Sequence, residues 1–201
     1  MEIDSGKQEP QLAVSKAGAL GAANGPFRMI HRIQFEQWVP DSIERVFLFF
    51  ANPTNLARIM PPETGTELVA LRLVPPPIVP DGLQAAANRD SLAGVGSEIV
   101  TSFRLFPFLP FRAQWTALIT EFEWNHHFAD VQKKGPFKRF QHRHEFSAEA
   151  RDVARGTVVR DVIQYDAGFG MLGDLTQKLF IAPSLKQTFK YRQRMLEKLL
   201  G

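Results

Sequence analysis

Between Met29 and Val39 apolar and polar residues alternate, with Ile33, Phe35 and Val39 on one side and Arg32, Gln34 and Glu36 on the other, which is the pattern of a half-buried strand. Pro40 ends it. Asp41 with Glu44 three residues on has the spacing of a capping box, and Val46, Phe47, Phe49 and Phe50 give the short helix behind it an apolar face. Asn52-Pro53 breaks that helix, and a second one is predicted from Pro53 to Ile59, closing at Met60-Pro61-Pro62 because a residue before proline is pushed out of helical geometry. Thr66 to Val74, Ser97 to Phe106 and Phe111 to Glu123 read as further strands, the last two joined at a Pro107-to-Pro110 corner. Pro75 to Gly96 is too proline-rich for a central strand and too long for a tight hairpin, so it reads as an inserted loop.

Two more strands follow around a Lys134-Gly135-Pro136 turn. Phe128, Asp130 and Gln132 share one face of the first, and Phe140, His142, His144 and Phe146 share one face of the second. Thr157 to Tyr165 is predicted as the last strand, with Thr157, Val159, Asp161, Ile163 and Tyr165 on one side, before Gly168 and Gly170 release the chain. From Met171 to Leu200 the period changes: Leu172, Leu175, Leu179, Ala182, Leu185, Phe189, Leu196 and Leu199 recur at three- and four-residue intervals, and Lys178, Lys186, Lys190, Arg194 and Lys198 fall opposite them. That is a long surface helix with one side pressed onto the sheet. The order is strand, two small helices, six strands, long helix: an α+β chain whose short connections require antiparallel pairing.

Composition narrows the function. A chain of 201 residues with 44% hydrophobic content makes one domain able to bury a core unaided, and the absence of cysteine excludes disulfides, thiolate nucleophiles and Cys-ligated zinc. A net charge of +3 with scattered basic residues gives no nucleic-acid face, and the lysines of the last helix read as a solvated surface. Residues 1–27 lack a basic start and a sustained apolar run, so they are expected to be a mobile tail of a cytoplasmic protein without membrane insertion, ahead of one domain spanning 28–201 with its insertion at about 75–96.

Several stretches carry a family likeness: Trp38-Val39-Pro40, Val46-Phe47-x-Phe49-Phe50, Asn55-Leu56, Phe128-x-Asp130-x-Gln132-x-x-Gly135-Pro136 and His142-x-His144-x-Phe146. Over about residues 29–200 the chain resembles the START/Bet v 1-like (SRPBCC) superfamily, and within it the polyketide cyclase/dehydrase and coenzyme-Q-binding branch. It departs from that pattern at Phe140, where relatives often carry Trp, and in the length of Pro75 to Gly96. The resemblance implies a helix-grip fold, a curved seven-stranded sheet wrapped around the C-terminal helix, with an apolar ligand such as a lipid, quinone or polyketide held between them.

The chemistry available there comes from the paired histidines, which a carboxylate of Asp130 or Asp161 can approach. Three readings stand. One is a structural network in which buried polar groups satisfy one another. In the second, the same groups form the polar end of a ligand pocket, lined by Phe103, Trp115, Phe128, Asp130, Gln132, Phe140, His142, His144, Asp161, Tyr165 and Phe189. The third is a His-x-His plus carboxylate metal site. Binding of a hydrophobic small molecule without turnover, cofactor or metal is the leading expectation, as a monomer or homodimer. The alternative is a cyclase or dehydratase in which a histidine, His144, acts as base beside Asp161 while the Tyr165 hydroxyl polarises a carbonyl. His126-His127 follows Trp124-Asn125 at a turn and is expected to be exposed.

Overall fold

The computed structural model describes residues 30–79, 88–104, 111–152, 154–168 and 177–201. Every alternating stretch is a strand: β1 (His31–Val39), β2 (Glu67–Arg72), β3 (Glu98–Arg104), β4 (Arg112–Glu123), β5 (His127–Lys134), β6 (Arg139–Arg151) and β7 (Ala154–Asp166). They pair antiparallel in the order β1-β7-β6-β5-β4-β3-β2. From β2 to β7 each strand lies beside its successor, as short connections require, whereas β1 returns to pair with β7 from His31↔Tyr165 to Val39↔Thr157. The sheet is curved and open, with β1 and β2 at its edges. Gly156 permits one close approach in that last pairing, because a Cβ there would stand 2.5 Å from the Trp38 ring.

The first helix, α1 (Ile43–Ala51), starts one residue later than an Asp41–Glu44 capping box implies. Ser42 is the cap, its hydroxyl accepting from the Arg45 amide at 3.4 Å, while Asp41 accepts from the Ser42 amide and pairs with the Arg45 guanidinium at 3.0 Å. The second short helix is a 3₁₀ segment, Pro53–Ile59, capped by Asn52. The long connection after β2 is fastened where it is described: Ala93 N–H donates to Ala51 O, Gly94 N–H to Val74 O, and Leu92 is buried against α1. The N-terminal tail, the Pro107-to-Pro110 corner, residues 80–87 of the inserted loop, and Leu172 and Leu175 lie outside the described residues.

The C-terminal helix has two parts, a π-helical turn at Gln177–Ile181 and α2 (Ala182–Leu200). Pro183 has no N–H to donate, so α-helical hydrogen bonding begins only at its own first turn. The wide π turn departs from the α-helical period, and Leu179 within it, expected on the buried stripe, is 58% exposed while Ile181 packs inward. Beyond that point the period holds. Leu185 and Phe189 pack over Ile33, Phe35 and Ile163, and Leu196 meets Phe49 and Ile59. Lys178, Lys186, Lys190, Arg194 and Lys198 are all exposed.

Candidate functional site

Strand register decides what faces α2. Residues directly opposite in antiparallel strands share a face, and here Asp130 lies opposite His142, Phe128 opposite His144, and Asp161 opposite His144. Because β6 runs between β5 and β7, its two histidines receive a carboxylate from each side, so Asp130 and Asp161 both reach the site. His142 Nε2 donates to Asp161 Oδ1 at 2.9 Å, His144 Nδ1 lies 2.6 Å from the same oxygen, and the two imidazole centroids are 4.0 Å apart. Asp130, His142 and His144 each offer one ligand atom in a set lying within 4.8 Å of one another, which is where a metal ion could be held.

The fifth member comes from the helix. Arg192 is only 6% exposed and lays its guanidinium over Phe189 at 4.7 Å and Phe50 at 5.7 Å. Arg192 is not among the basic residues expected on the exposed face, and its position carries a signal: 192 falls three residues after Phe189 and four before Leu196, in the middle of the apolar stripe. Aromatic rings close the cluster on the remaining sides. Phe128 and Phe50 stand 4.5 and 5.5 Å from His144, Phe189 stands 5.9 Å from His142, and Phe35 stacks on Phe189 at 4.1 Å.

Removal from water shows in the titration of these groups. Burial raises Asp130 to about 6, against the pull of His142 and Arg192. His144 is lowered to about 3, first by burial and then by the neighbouring His142. Burial alone would raise Asp161 too, but Arg192 and the two histidines together hold it well below the usual carboxylate range. At neutral pH the cluster therefore contains an ionised Asp161, a neutral His144 and an Asp130 close to its own midpoint. A carboxyl group within a unit of neutrality, beside a neutral imidazole that a second carboxylate orients, can exchange protons or bond a polar ligand atom.

The other expected site residues lie toward the β5–β6 turn, with the Phe140 ring 6.4 Å from that of His142. Trp115, Phe140 and Tyr165 join Phe137 in an aromatic group nearer the β5–β6 turn, with Trp115 and Phe140 centroids 4.6 Å apart and Phe137 and Tyr165 5.4 Å apart. Tyr165 is four residues along β7 from Asp161, about 13 Å by strand rise, so His144 and Asp161 are brought together and Tyr165 is not. Gln132 spends its amide on the turn, donating to Phe137 O at 2.6 Å and accepting from Phe137 N at 3.1 Å. Phe103 is half-buried on β3. Among the described residues the space between helix and sheet is nearly filled. The void there, lined by Phe35, Asp161, Phe189, Arg192 and Leu196, measures ≈ 10 Å³, room for about one water. The roomy cavity expected from the sequence is occupied by stacked rings. A larger groove, ≈ 260 Å³, opens among Glu123, His126, His127, Arg143, Glu145 and Arg160.

No protein-family model matches this chain, and none of the curated proteins matches it. Solved structures do. The chain is similar to a START superfamily protein from Mycobacterium smegmatis (12% identity, 84% of this chain and 98% of that one, TM-score 0.54). It is also similar to the major latex-like protein 151 of Panax ginseng (11% identity, 85% and 97%, TM-score 0.54). A third is a norcoclaurine synthase point mutant from Thalictrum, in complex with a transition-state analogue (10% identity, 87% and 98%, TM-score 0.55). At such identities the likeness is one of fold, and the chemistry rests on the side chains above.

Proposed function

We propose that this chain, which has the START/Bet v 1-like helix-grip fold, binds a small hydrophobic molecule carrying one polar group, between its sheet and α2. The observation that carries this reading is the cluster of half-buried Asp130 with buried His142, His144, Asp161 and Arg192 inside an interior otherwise made of Phe rings. Ionisable groups cost several kcal/mol to bury, and packing alone would be served as well by apolar residues of the same volume. Their convergence on one face gives a ligand's hydroxyl acceptors in the Asp130 carboxylate and the imidazoles. Phe128, Phe189 and Phe35 would lie along its apolar body.

Room for the ligand comes from α2. Among the described residues few polar contacts tie it to the sheet: Gln37 Nε2 donates to Gln193 O at 2.8 Å and Gln193 Nε2 to Glu36 O at 3.1 Å. The Phe35–Phe189 stack and Leu196 supply the rest, and a helix held mainly by apolar contacts can shift by the thickness of a ring on ligand entry. Native mass spectrometry of the purified protein, followed by titration with lipids, quinones and polyketide-like aromatics, tests this. A co-purifying or added apolar molecule should bind one per chain, and a clean unliganded mass with no affinity across the panel would overturn it. A second reading, acid–base catalysis of the cyclase or dehydratase kind, is favoured by the 2.6 Å approach of Asp161 to His144. It uses His144 as base and leaves Tyr165 out of contact. Turnover that survives Asp161→Asn would remove it.

A further inference from the structure

We infer that Asp130, His142 and His144 form a binding site for one divalent first-row transition ion. The inference stands apart from any apolar ligand, because it rests on the donor set alone. Three features point to it. Two strands in register, β5 and β6, bring one ligand atom each from half-buried Asp130 and buried His142 and His144 to within 4.8 Å of one another. Ligands around a tetrahedral ion at about 2.1 Å stand about 3.4 Å apart, so the widest pair in the set needs to close by up to about 1.4 Å, a movement within the range of side-chain torsions. Next, Asp161 Oδ1 is placed at 2.9 and 2.6 Å from the two rings. A carboxylate against the ligating histidines is the support that metal sites use to fix ring orientation and basicity. Finally, two carboxylates, Asp130 and Asp161, face the histidines from the strands on either side, an arrangement that suits a cation. Two imidazoles and a carboxylate, in a chain without cysteine, suit Zn²⁺, Co²⁺, Fe²⁺ or Mn²⁺ better than Ca²⁺ or Mg²⁺, which prefer all-oxygen sets.

Arg192 provides a test that a purely structural network would fail. Its charge repels a bound dication, so Arg192→Met should bind the ion several-fold more tightly, whereas a network that merely satisfies its own groups has no metal affinity to improve. The experiment uses the full chain, stripped with a chelator and titrated with Zn²⁺ and with Co²⁺ by calorimetry and thermal denaturation, without any apolar ligand. One Zn²⁺ per chain should bind and raise Tm, Mg²⁺ and Ca²⁺ should not, and Asp130→Asn should weaken binding by about tenfold or more. His126 and His127, outside this cluster, are the natural site of adventitious binding, so His126→Gln/His127→Gln should leave the affinity unchanged. Should Asp130→Asn fail to fold, Zn²⁺ added to the unaltered protein should shift the imidazole resonances of His142 and His144 and spare those of His126 and His127. Absence of stoichiometric binding, or binding that follows His126 and His127, overturns the inference. Either result leaves the apolar ligand panel to be judged separately.

Discussion

The two faces of β6 use the same kinds of residue to opposite ends. On the inner face His142 and His144 meet Asp130, Asp161 and Arg192 beside a void of only ≈ 10 Å³; on the outer face, at the alternate positions, Arg143 pairs with Glu121 and Glu145, and Glu145 with Arg160. His127 stands 3.5 and 3.4 Å from Glu121 and Glu123 beside the open groove. Outside, solvent screens each charge and the pairs are replaceable. Inside, burial drives Asp130 up to about 6 and His144 down to about 3. The difference teaches where to look for function in this molecule: the larger groove is the ordinary surface, and the nearly filled interior holds the perturbed groups.

The largest effect expected of that contrast is on stability. Asp161→Asn keeps the shape of the side chain but takes away the charge that Arg192 and both histidines face, and loss of one partner from a buried set costs about 3–5 kcal/mol. Urea denaturation should show it, and a loss below about 1 kcal/mol would mean that the interior behaves like the outer face.

Next in size is a pH dependence, measured in the presence of a chelator. His144, lowered from 6.5 to about 3, refuses a proton that the unfolded chain accepts, so its contribution makes stability rise with pH between those values. Asp130, raised from 3.8 to about 6, keeps a proton that the unfolded chain has released, so its contribution makes stability fall with pH across that window. The two nearly cancel between pH 4 and 6. Asp130→Asn removes the falling part, and the slope of unfolding free energy against pH should become more positive by up to about 1.4 kcal/mol per pH unit. Equal slopes for the two proteins at pH 4.5–5.5 would contradict the raised titration of Asp130. The smallest effect belongs outside: Glu121→Gln should cost about 1 kcal/mol or less, and raising the salt to 1 M should shrink that cost further.

Alternation and turn chemistry made the sheet legible. Phe140, His142, His144 and Phe146 were placed on one face by period alone, and Gly135-Pro136 fixed β6 antiparallel to β5. The convergence of both Asp130 and Asp161 was only half legible, since strand order decides which neighbours flank β6. What pattern could not show is packing. The outward turn of Leu179 depends on a π-helical turn before Pro183, the diversion of Gln132 depends on the backbone of Phe137, and the closeness of Phe35 to Phe189 depends on the height of α2 above the sheet. Arg192 was written in the stripe, but a cation there resembles the lysines of the polar face until its burial is seen.

The most direct test of the interior as a working site is calorimetric titration with whichever apolar molecule the panel yields, comparing the unaltered chain with Asp130→Asn and Glu121→Gln. Binding should weaken by about tenfold or more in Asp130→Asn, with Tm within a few degrees of the parent, and should be unchanged in Glu121→Gln. Equal affinity in all three proteins would contradict it.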